Sequence, residues 1–189
     1  MINETIIYPN NTLGLSKNTI ENNDSPVHSL PEVLFLTSLP PRECGIATYS
    51  NDLINSLKDK FSRSFKINYC AVISNHEKEV NTNEVEYTLN TDEPENYEKL
   101  ANAINSNSQI EIILLQHEFG FFNNDEKSFL HFLNLLNKPI IIVFHTVLPN
   151  PNTLLRENVI QLASICSSII VMTKTSAAIL KKVKTRVKK

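Results

Sequence analysis

Four polar segments follow apolar stretches of this sequence, and they hold most of the side chains that could do chemistry. They are residues 39–49 (LPPRECGIATY), 116–122 (QHEFGFF), 145–151 (HTVLPNP) and 173–176 (TKTS). If the apolar stretches are parallel strands, their carboxyl ends meet at one edge of a sheet, where ligands bind in open α/β folds. Helix N-termini converge at the same edge and present free N–H groups to anions. We therefore expect these four segments to form one ligand site.

Two of the five histidines, His117 and His145, stand directly after such apolar stretches. A single histidine in this place is often a structural hydrogen-bonding group. Two histidines in equivalent places favour a functional interpretation. Imidazole suits such a role, because it changes its charge near neutral pH.

The segment before the first predicted helix combines a double proline with Arg42 and Gly45. Gly45 would let an anionic ligand approach the backbone closely. Arg42 either pairs with Glu43 or another acid, or makes a bidentate phosphate contact, and the sequence leaves both open. The aromatic segment 119–122 (FGFF) either packs the loop, which is the simpler interpretation, or forms the apolar wall of a sugar or acceptor pocket.

Composition excludes several classes of function. The three glycines cannot supply a G-x-G-x-x-G or G-x-x-x-x-G-K-[ST] motif, and H-E-x-x-H and G-x-S-x-G are both missing. A net charge of −2 offers no global field for nucleic acid, so no nucleic-acid partner is expected. Three cysteines without a C-x-x-C indicate neither a disulfide framework nor a zinc site and fit a reducing cytoplasm. Since no apolar run approaches about 20 residues, we expect no transmembrane segment.

Apolar bursts alternate with amphipathic stretches from residue 33 onward, which predicts a doubly wound, mostly parallel α/β sheet of the Rossmann-like kind. The predicted strands are 33–38, 65–73, 85–89, 110–116, 139–144 and 168–172. The predicted helices are 46–61, 93–104, 125–136, 153–166 and 176–183. The strand at 110–116 is apolar on both faces, which is typical of a central strand covered by helices on each side.

The ends of the chain differ from this alternating part. Residues 1–31 are rich in Asn, Ser, Thr and Pro without sustained periodicity, so we expect a disordered arm. Residues 32–180 form the predicted α/β domain. Residues 181–189 carry six of the eighteen basic side chains. This basic tail is most simply a solvated end, with contact to nucleic acid or to anionic lipid at a membrane surface as the alternative.

The strand-end segments resemble those of the N-terminal domain of glycosyltransferase family 4, a group of retaining GT-B enzymes. The resemblance is carried by residues 35–49 (FLTSLPPRECGIATY), 116–122 (QHEFGFF), 144–151 (FHTVLPNP) and 170–173 (IVMT), and extends over about residues 33–180. It implies two Rossmann-like domains facing each other across a cleft. A nucleotide-sugar donor would be held mainly by the C-terminal domain, and a glycan or glycoconjugate acceptor mainly by the N-terminal one.

The resemblance also implies roles for particular residues. Gly45 is expected near the donor diphosphate, and His145 of the F-H-T segment is expected beside both the transferred sugar and the diphosphate, as the catalytic residue. Thr146 of the same segment is expected to bind substrate, and so is Arg42 of the segment that contains Gly45. His117 with Glu118 is expected on the acceptor side. Such enzymes generally need no metal or other cofactor, and they work mainly by stabilising the leaving diphosphate.

The sequence departs from the family because the donor-binding domain, with its two glutamates seven residues apart, does not follow. We therefore expect a truncated N-terminal half that transfers no hexose by itself. Two alternatives remain: a non-catalytic domain that binds an acceptor or a partner chain, and, more weakly, a fragment of a nucleotide-sugar epimerase.

Overall fold

Strands and helices alternate along most of this chain. The computed structural model describes residues 5–7, 30–76, 85–122 and 125–185. Its strands are β1 (Thr5–Ile7), β2 (Glu32–Thr37), β3 (Lys66–Ile73), β4 (Val85–Asn90), β5 (Ile110–His117), β6 (Ile140–Phe144) and β7 (Ser168–Val171). Its α-helices are α1 (Gly45–Phe61), α2 (Tyr97–Ser106), α3 (Glu126–Leu135), α4 (Thr153–Ile165) and α5 (Lys174–Thr185).

Among the described residues, the strands form a single seven-stranded sheet in the order β1-β7-β6-β5-β2-β3-β4. Every neighbouring pair from β7 to β4 is parallel, and β1 pairs antiparallel with β7. Without β1, this is the 3-2-1-4-5-6 order of the Rossmann fold. The prediction of a doubly wound, mostly parallel α/β sheet is thus confirmed.

The order places a topological switch point between β2 and β5. From β2 the chain proceeds outward through β3 and β4, and it then returns to β5 on the other side of β2. The connections diverge here, which opens a crevice at the carboxyl ends of the two strands. The loops after β2 and β5 hold two of the four polar segments identified in the sequence.

Helices cover the two faces of the sheet unequally. Leu34, Leu36 and Leu115 belong to a large core cluster with residues of α2, α3, α4 and α5, whereas Phe35 packs with Ile54 of α1 in a smaller cluster. Successive strand residues point to opposite faces, so α1 lies on one face and the other helices on the opposite one. Helices lie above and below the central strands, so β2 is buried on both faces, whereas β5 is fully buried on the side of α2 to α5 and only partly buried on the side of α1.

One strand was not predicted. Thr5–Ile7 lies within the segment expected to be an arm, yet it pairs with β7 from Thr5 opposite Val171 to Ile7 opposite Ile169. Three residues are too short to show a periodicity, and the pairing joins parts of the chain that are remote in sequence. The remainder of the expected arm that precedes Leu30 lies outside the described residues, as do residues 186–189 of the basic tail.

Candidate functional site

The first wall of the crevice is the N-terminus of α1. Cys44 caps this helix with an extended backbone, and its Sγ accepts a hydrogen bond from the Ala47 N–H at 3.4 Å. Gly45 begins the helix, and a Cβ added to it would meet no other atom within 4 Å. The first N–H groups of a helix have no partner inside the helix, and they carry its partial positive charge. The backbone at Gly45 is therefore open to an anion.

His145 is held at the end of β6 by contacts from two elements, β5 and α1. Its backbone N–H donates to the carbonyl of His117 at 3.2 Å, which extends the β5–β6 pairing past the end of β6. Its Nε2 lies 2.7 Å from Oε1 of Gln116, the penultimate residue of β5. The ring of Tyr49, one turn into α1, meets the imidazole edge to face with 5.0 Å between centroids. His145 is thus next to the first turn of α1.

The environment of His145 favours the neutral imidazole. Burial lowers the pKa of His145, and the charge of Glu118 opposes this only in part. With Gln116 Oε1 as acceptor, the proton of the neutral ring is on Nε2, and Nδ1 is the ring atom that can accept a hydrogen bond. Such a ring can accept a hydrogen bond from a ligand hydroxyl without a positive charge of its own.

Glu118 and Thr146 join the loops that follow β5 and β6. The Thr146 hydroxyl donates to Oε2 of Glu118 at 2.7 Å, and the N–H of Phe119 donates to Oε1 at 3.1 Å. Both side chains are half-buried. The carboxylate therefore has a fixed orientation at the mouth of the crevice.

Arg42 connects the loop after β2 with the loop after β5. Its guanidinium carbon lies 4.5 Å from the centroid of the Phe121 ring, within the range of a cation–π contact. This contact places the positive charge of Arg42 beside the loop that begins with Glu118.

His117 has a different environment from the other candidates. Its side chain is 2 % exposed and lies among the rings of Phe119, Phe122, Phe129 and Phe144. Burial lowers the pKa of His117 to about 3, and its Nδ1 has no hydrogen-bond partner. The ring therefore lies in the core beneath the site, where it does not face the crevice as an acceptor-binding group would.

Five of the six residues proposed from the sequence thus stand at one edge of the sheet: Arg42, Gly45, Glu118, His145 and Thr146. Two further side chains of the site were not identified from the sequence. Tyr49 and Gln116 stood in the polar segments 39–49 and 116–122 without a role of their own. Gln116 is fully buried and its Nε2 has no partner. A polar residue directly after the apolar run 112–115 is the signal in the sequence that could have identified it.

Neither a metal site nor a membrane-spanning helix is found among the described residues. These residues contain no group of three or more His, Cys, Asp or Glu side chains placed to hold a metal ion. No helix in the same part of the chain combines the length and the apolar character needed to cross a bilayer.

Comparison with known proteins gives one distant structural likeness. No protein-family model matches the chain, and no curated protein matches it. Among solved structures, an alpha-glucosyltransferase in complex with UDP and a 13-mer DNA containing a HMU base is similar over 75 % of this chain, at 9 % identity and a TM-score of 0.43. The match covers 37 % of that enzyme, so this chain spans little more than a third of its length. A likeness this distant carries no argument about activity.

Proposed function

We propose that this chain is the acceptor-side domain of a retaining glycosyltransferase that takes a hexose from a nucleotide-sugar donor. The observation that carries the proposal is that Gly45, Glu118 and His145 follow the carboxyl ends of the adjacent strands β2, β5 and β6 of a Rossmann-type sheet. The sequence segments that contain these residues are the ones that resemble glycosyltransferase family 4. The acceptor would be a glycan or a glycoconjugate.

Each side chain has a chemical task in this proposal. The open backbone at Gly45 and the charge of Arg42 would bind the donor diphosphate and spread the negative charge that develops as it leaves. Neutral His145 would hold a hydroxyl of the transferred sugar through Nδ1. Glu118, fixed by Thr146, would accept a hydrogen bond from the attacking acceptor hydroxyl and orient it.

The proposal requires a second domain to close the other side of the crevice. In the family that the sequence resembles, that domain supplies most contacts to the nucleotide sugar. Without such a second domain, the α/β domain would bind a diphosphate weakly and turn over no nucleotide sugar. Hydrolysis or transfer of a nucleotide sugar by the purified chain would contradict this part of the proposal.

Titration calorimetry with UDP, ADP and GDP tests the diphosphate site directly. We expect at least one of them to bind the wild-type chain and to bind Gly45→Ala about tenfold more weakly, because the added methyl group stands where the phosphate approaches. Nothing in the fold contacts that methyl group, so the variant should retain its structure.

Gly120→Ala is the matched control, since a Cβ at Gly120 also meets nothing within 4 Å. It should bind the nucleotide as the wild type does. His145→Ala should weaken binding because it removes a side chain beside the diphosphate. Failure of all three nucleotides to bind, or equal affinity of the wild type, Gly45→Ala and His145→Ala, would overturn the proposed function.

A further inference from the structure

Charge is distributed very unequally along this chain. Residues 128–189 carry nine of the eighteen basic side chains and one of the twenty acidic ones, Glu157. The net charge of −2 is therefore the sum of a strongly acidic part, residues 1–127, and a strongly basic part. An asymmetry of this kind points to a polyanionic partner for the basic part, either a nucleic acid or a membrane surface.

Helix α5 presents the described lysines of this basic part to solvent. Lys174, Ala178 and Lys182 are spaced four residues apart, so they lie along one side of the helix, and all three are exposed. The other side of α5 packs into the core through Ala177 and Leu180. Because α5 contains no acidic side chain, its exposed side is positively charged.

Two exposed leucines lie close to this side of α5. Leu154, in the first turn of α4, is 65 % exposed, and Leu148, in the loop before α4, is 44 % exposed. They are the most exposed large apolar side chains among the described residues. Leu148 comes together with Arg156 of α4 and Ile179 of α5, since all three border one narrow gap. Lys182 follows Ile179 by three residues and therefore lies next to it on the surface of α5.

This combination favours a membrane over a nucleic acid as the partner. Proteins bind unpaired bases by stacking aromatic side chains on them, and residues 146–189 contain no aromatic side chain. The phosphates of a duplex offer nothing to an exposed leucine. An anionic bilayer matches both features, because lysines pair with its phosphates and leucines reach the boundary between headgroups and acyl chains.

We propose that this protein binds the surface of an anionic membrane through the loop before α4, the first turn of α4 and the exposed side of α5. Leu148 and Leu154 insert among the lipid headgroups, and Lys174 and Lys182 pair with lipid phosphates. Binding by so few side chains is reversible and weakens with salt. The inference goes beyond the proposed function and does not depend on it.

Sedimentation of the 189-residue chain with vesicles tests this membrane surface. Vesicles made of equal parts of phosphatidylcholine and phosphatidylglycerol should carry the wild type down, whereas vesicles of phosphatidylcholine alone should not. Sodium chloride at about 1 M, where the Debye length is about 3 Å, should release most of the bound protein. Absence of sedimentation with the anionic vesicles, or equal sedimentation with both kinds, would overturn the inference.

The double variant Lys174→Gln and Lys182→Gln removes two charges from the proposed surface. Each lysine next to an anionic membrane contributes roughly fivefold to the affinity, so binding should weaken by more than about tenfold. Lys60→Gln with Arg63→Gln is the matched control, because it removes the same charge from exposed positions at the end of α1, on the opposite face of the sheet. Equal weakening in the two double variants would contradict the assignment to α5.

Insertion of the leucines can be measured by fluorescence, because the chain contains no tryptophan. The emission of Leu154→Trp should move to shorter wavelength when the anionic vesicles are added, since the indole leaves water. Phe61→Trp is the matched control, because Phe61 is also exposed but belongs to α1 on the opposite face. A shift in neither variant, or an equal shift in both, would contradict insertion at Leu154.

A mobility-shift experiment with duplex DNA of mixed sequence tests the other polyanion. We expect no shift at the salt concentration at which the anionic vesicles bind. Binding of the duplex without binding of vesicles would overturn the inference and assign the basic side of α5 to a nucleic acid.

Titration of the same protein with UDP, ADP and GDP separates this inference from the proposed function. Binding of anionic vesicles without binding of any nucleotide supports the membrane surface and contradicts the transferase. Binding of a nucleotide without binding of vesicles contradicts the membrane surface alone.

Discussion

The hydroxyl of Thr146 donates a hydrogen bond of 2.7 Å to the carboxylate of Glu118 and so joins the loops that follow β5 and β6. These loops leave adjacent strands on one side of the switch point. The bond fixes the only carboxylate among the candidate residues. Its strength can be measured separately from any ligand.

Thr146→Val replaces this hydroxyl by a methyl group of nearly the same shape. Hydrogen bonds to charged groups contribute about 1.5–3 kcal/mol, so we expect the free energy of unfolding to fall by about 1–2 kcal/mol for this half-buried pair. Urea denaturation measures the change. Thr175→Val, at an exposed position of α5, is the matched control and should change stability by less than about 0.5 kcal/mol. Equal stability of the two variants would show that the Thr146 bond contributes nothing.

Gln116→Glu should raise the pKa of His145. The substitution places a carboxylate 2.7 Å from Nε2, where the wild type has an amide oxygen. An opposite charge at this distance favours the protonated ring, so the pKa should rise by more than about one pH unit. Nitrogen-15 NMR of the imidazole in a pH titration measures it. Gln161→Glu adds the same charge at an exposed position of α4, and an equal rise in that variant would contradict the role of Gln116.

His117→Phe should make the protein less sensitive to acid. Burial lowers the pKa of His117 to about 3, compared with 6.5 for an exposed histidine. Between these values the unfolded chain takes up a proton that the folded chain does not, so stability falls as the pH is lowered, by up to about 1.4 kcal/mol per pH unit. Phenylalanine fits the aromatic surroundings and removes the unpaired Nδ1.

Urea denaturation at pH 7, 6, 5 and 4 compares the wild type with His117→Phe. At pH 7 the variant should be as stable as the wild type or more so, and its stability should fall less steeply toward pH 4. A pH dependence identical to that of the wild type would mean that His117 is protonated in the folded protein.

Asp125→Ala should weaken the start of α3. The carboxylate accepts hydrogen bonds from the backbone N–H of Ser128 at 3.0 Å and from its hydroxyl, and these bonds lower the pKa of Asp125. Loss of such an N-cap costs about 1 kcal/mol. Because the folded pKa is the lower one, this contribution is present at neutral pH and is lost as the pH falls through that pKa.

The difference in stability between the wild type and Asp125→Ala should therefore shrink from pH 7 to pH 3. Asp52→Ala, at an exposed position of α1, is the matched control and should change stability by less than about 0.5 kcal/mol at pH 7. A difference between wild type and Asp125→Ala that is independent of pH would contradict the capping role of the carboxylate.

Local patterns in the sequence were enough to predict the alternating strands and helices. The apolar strand at 110–116 indicated a central position, and β5 does lie between β2 and β6. Once the strands are parallel, their polar ends must meet at one edge, which explains why Gly45 and His145 could be expected near each other. The pairing of Thr5–Ile7 with β7 could not be predicted, because it depends on a contact between distant parts of the chain.

His117 shows where prediction of the site from sequence fails. Gln116 and His117 both end β5, but successive residues of a strand face opposite sides of the sheet. Gln116 faces α1 and contacts His145, whereas His117 continues the row of Ile113 and Leu115 into the aromatic core. The sequence shows that both residues end a strand, but only the packing of the helices and loops shows which face is open there.

The short strand Thr5–Ile7 covers an edge of the sheet at which two copies of the protein could otherwise pair. It occupies the hydrogen-bonding edge of β7, which would otherwise present a row of unpaired backbone groups to any extended polypeptide. Deleting the first seven residues should therefore leave the domain folded but prone to join other molecules strand to strand, and purification protocols that trim this end would be expected to yield aggregates.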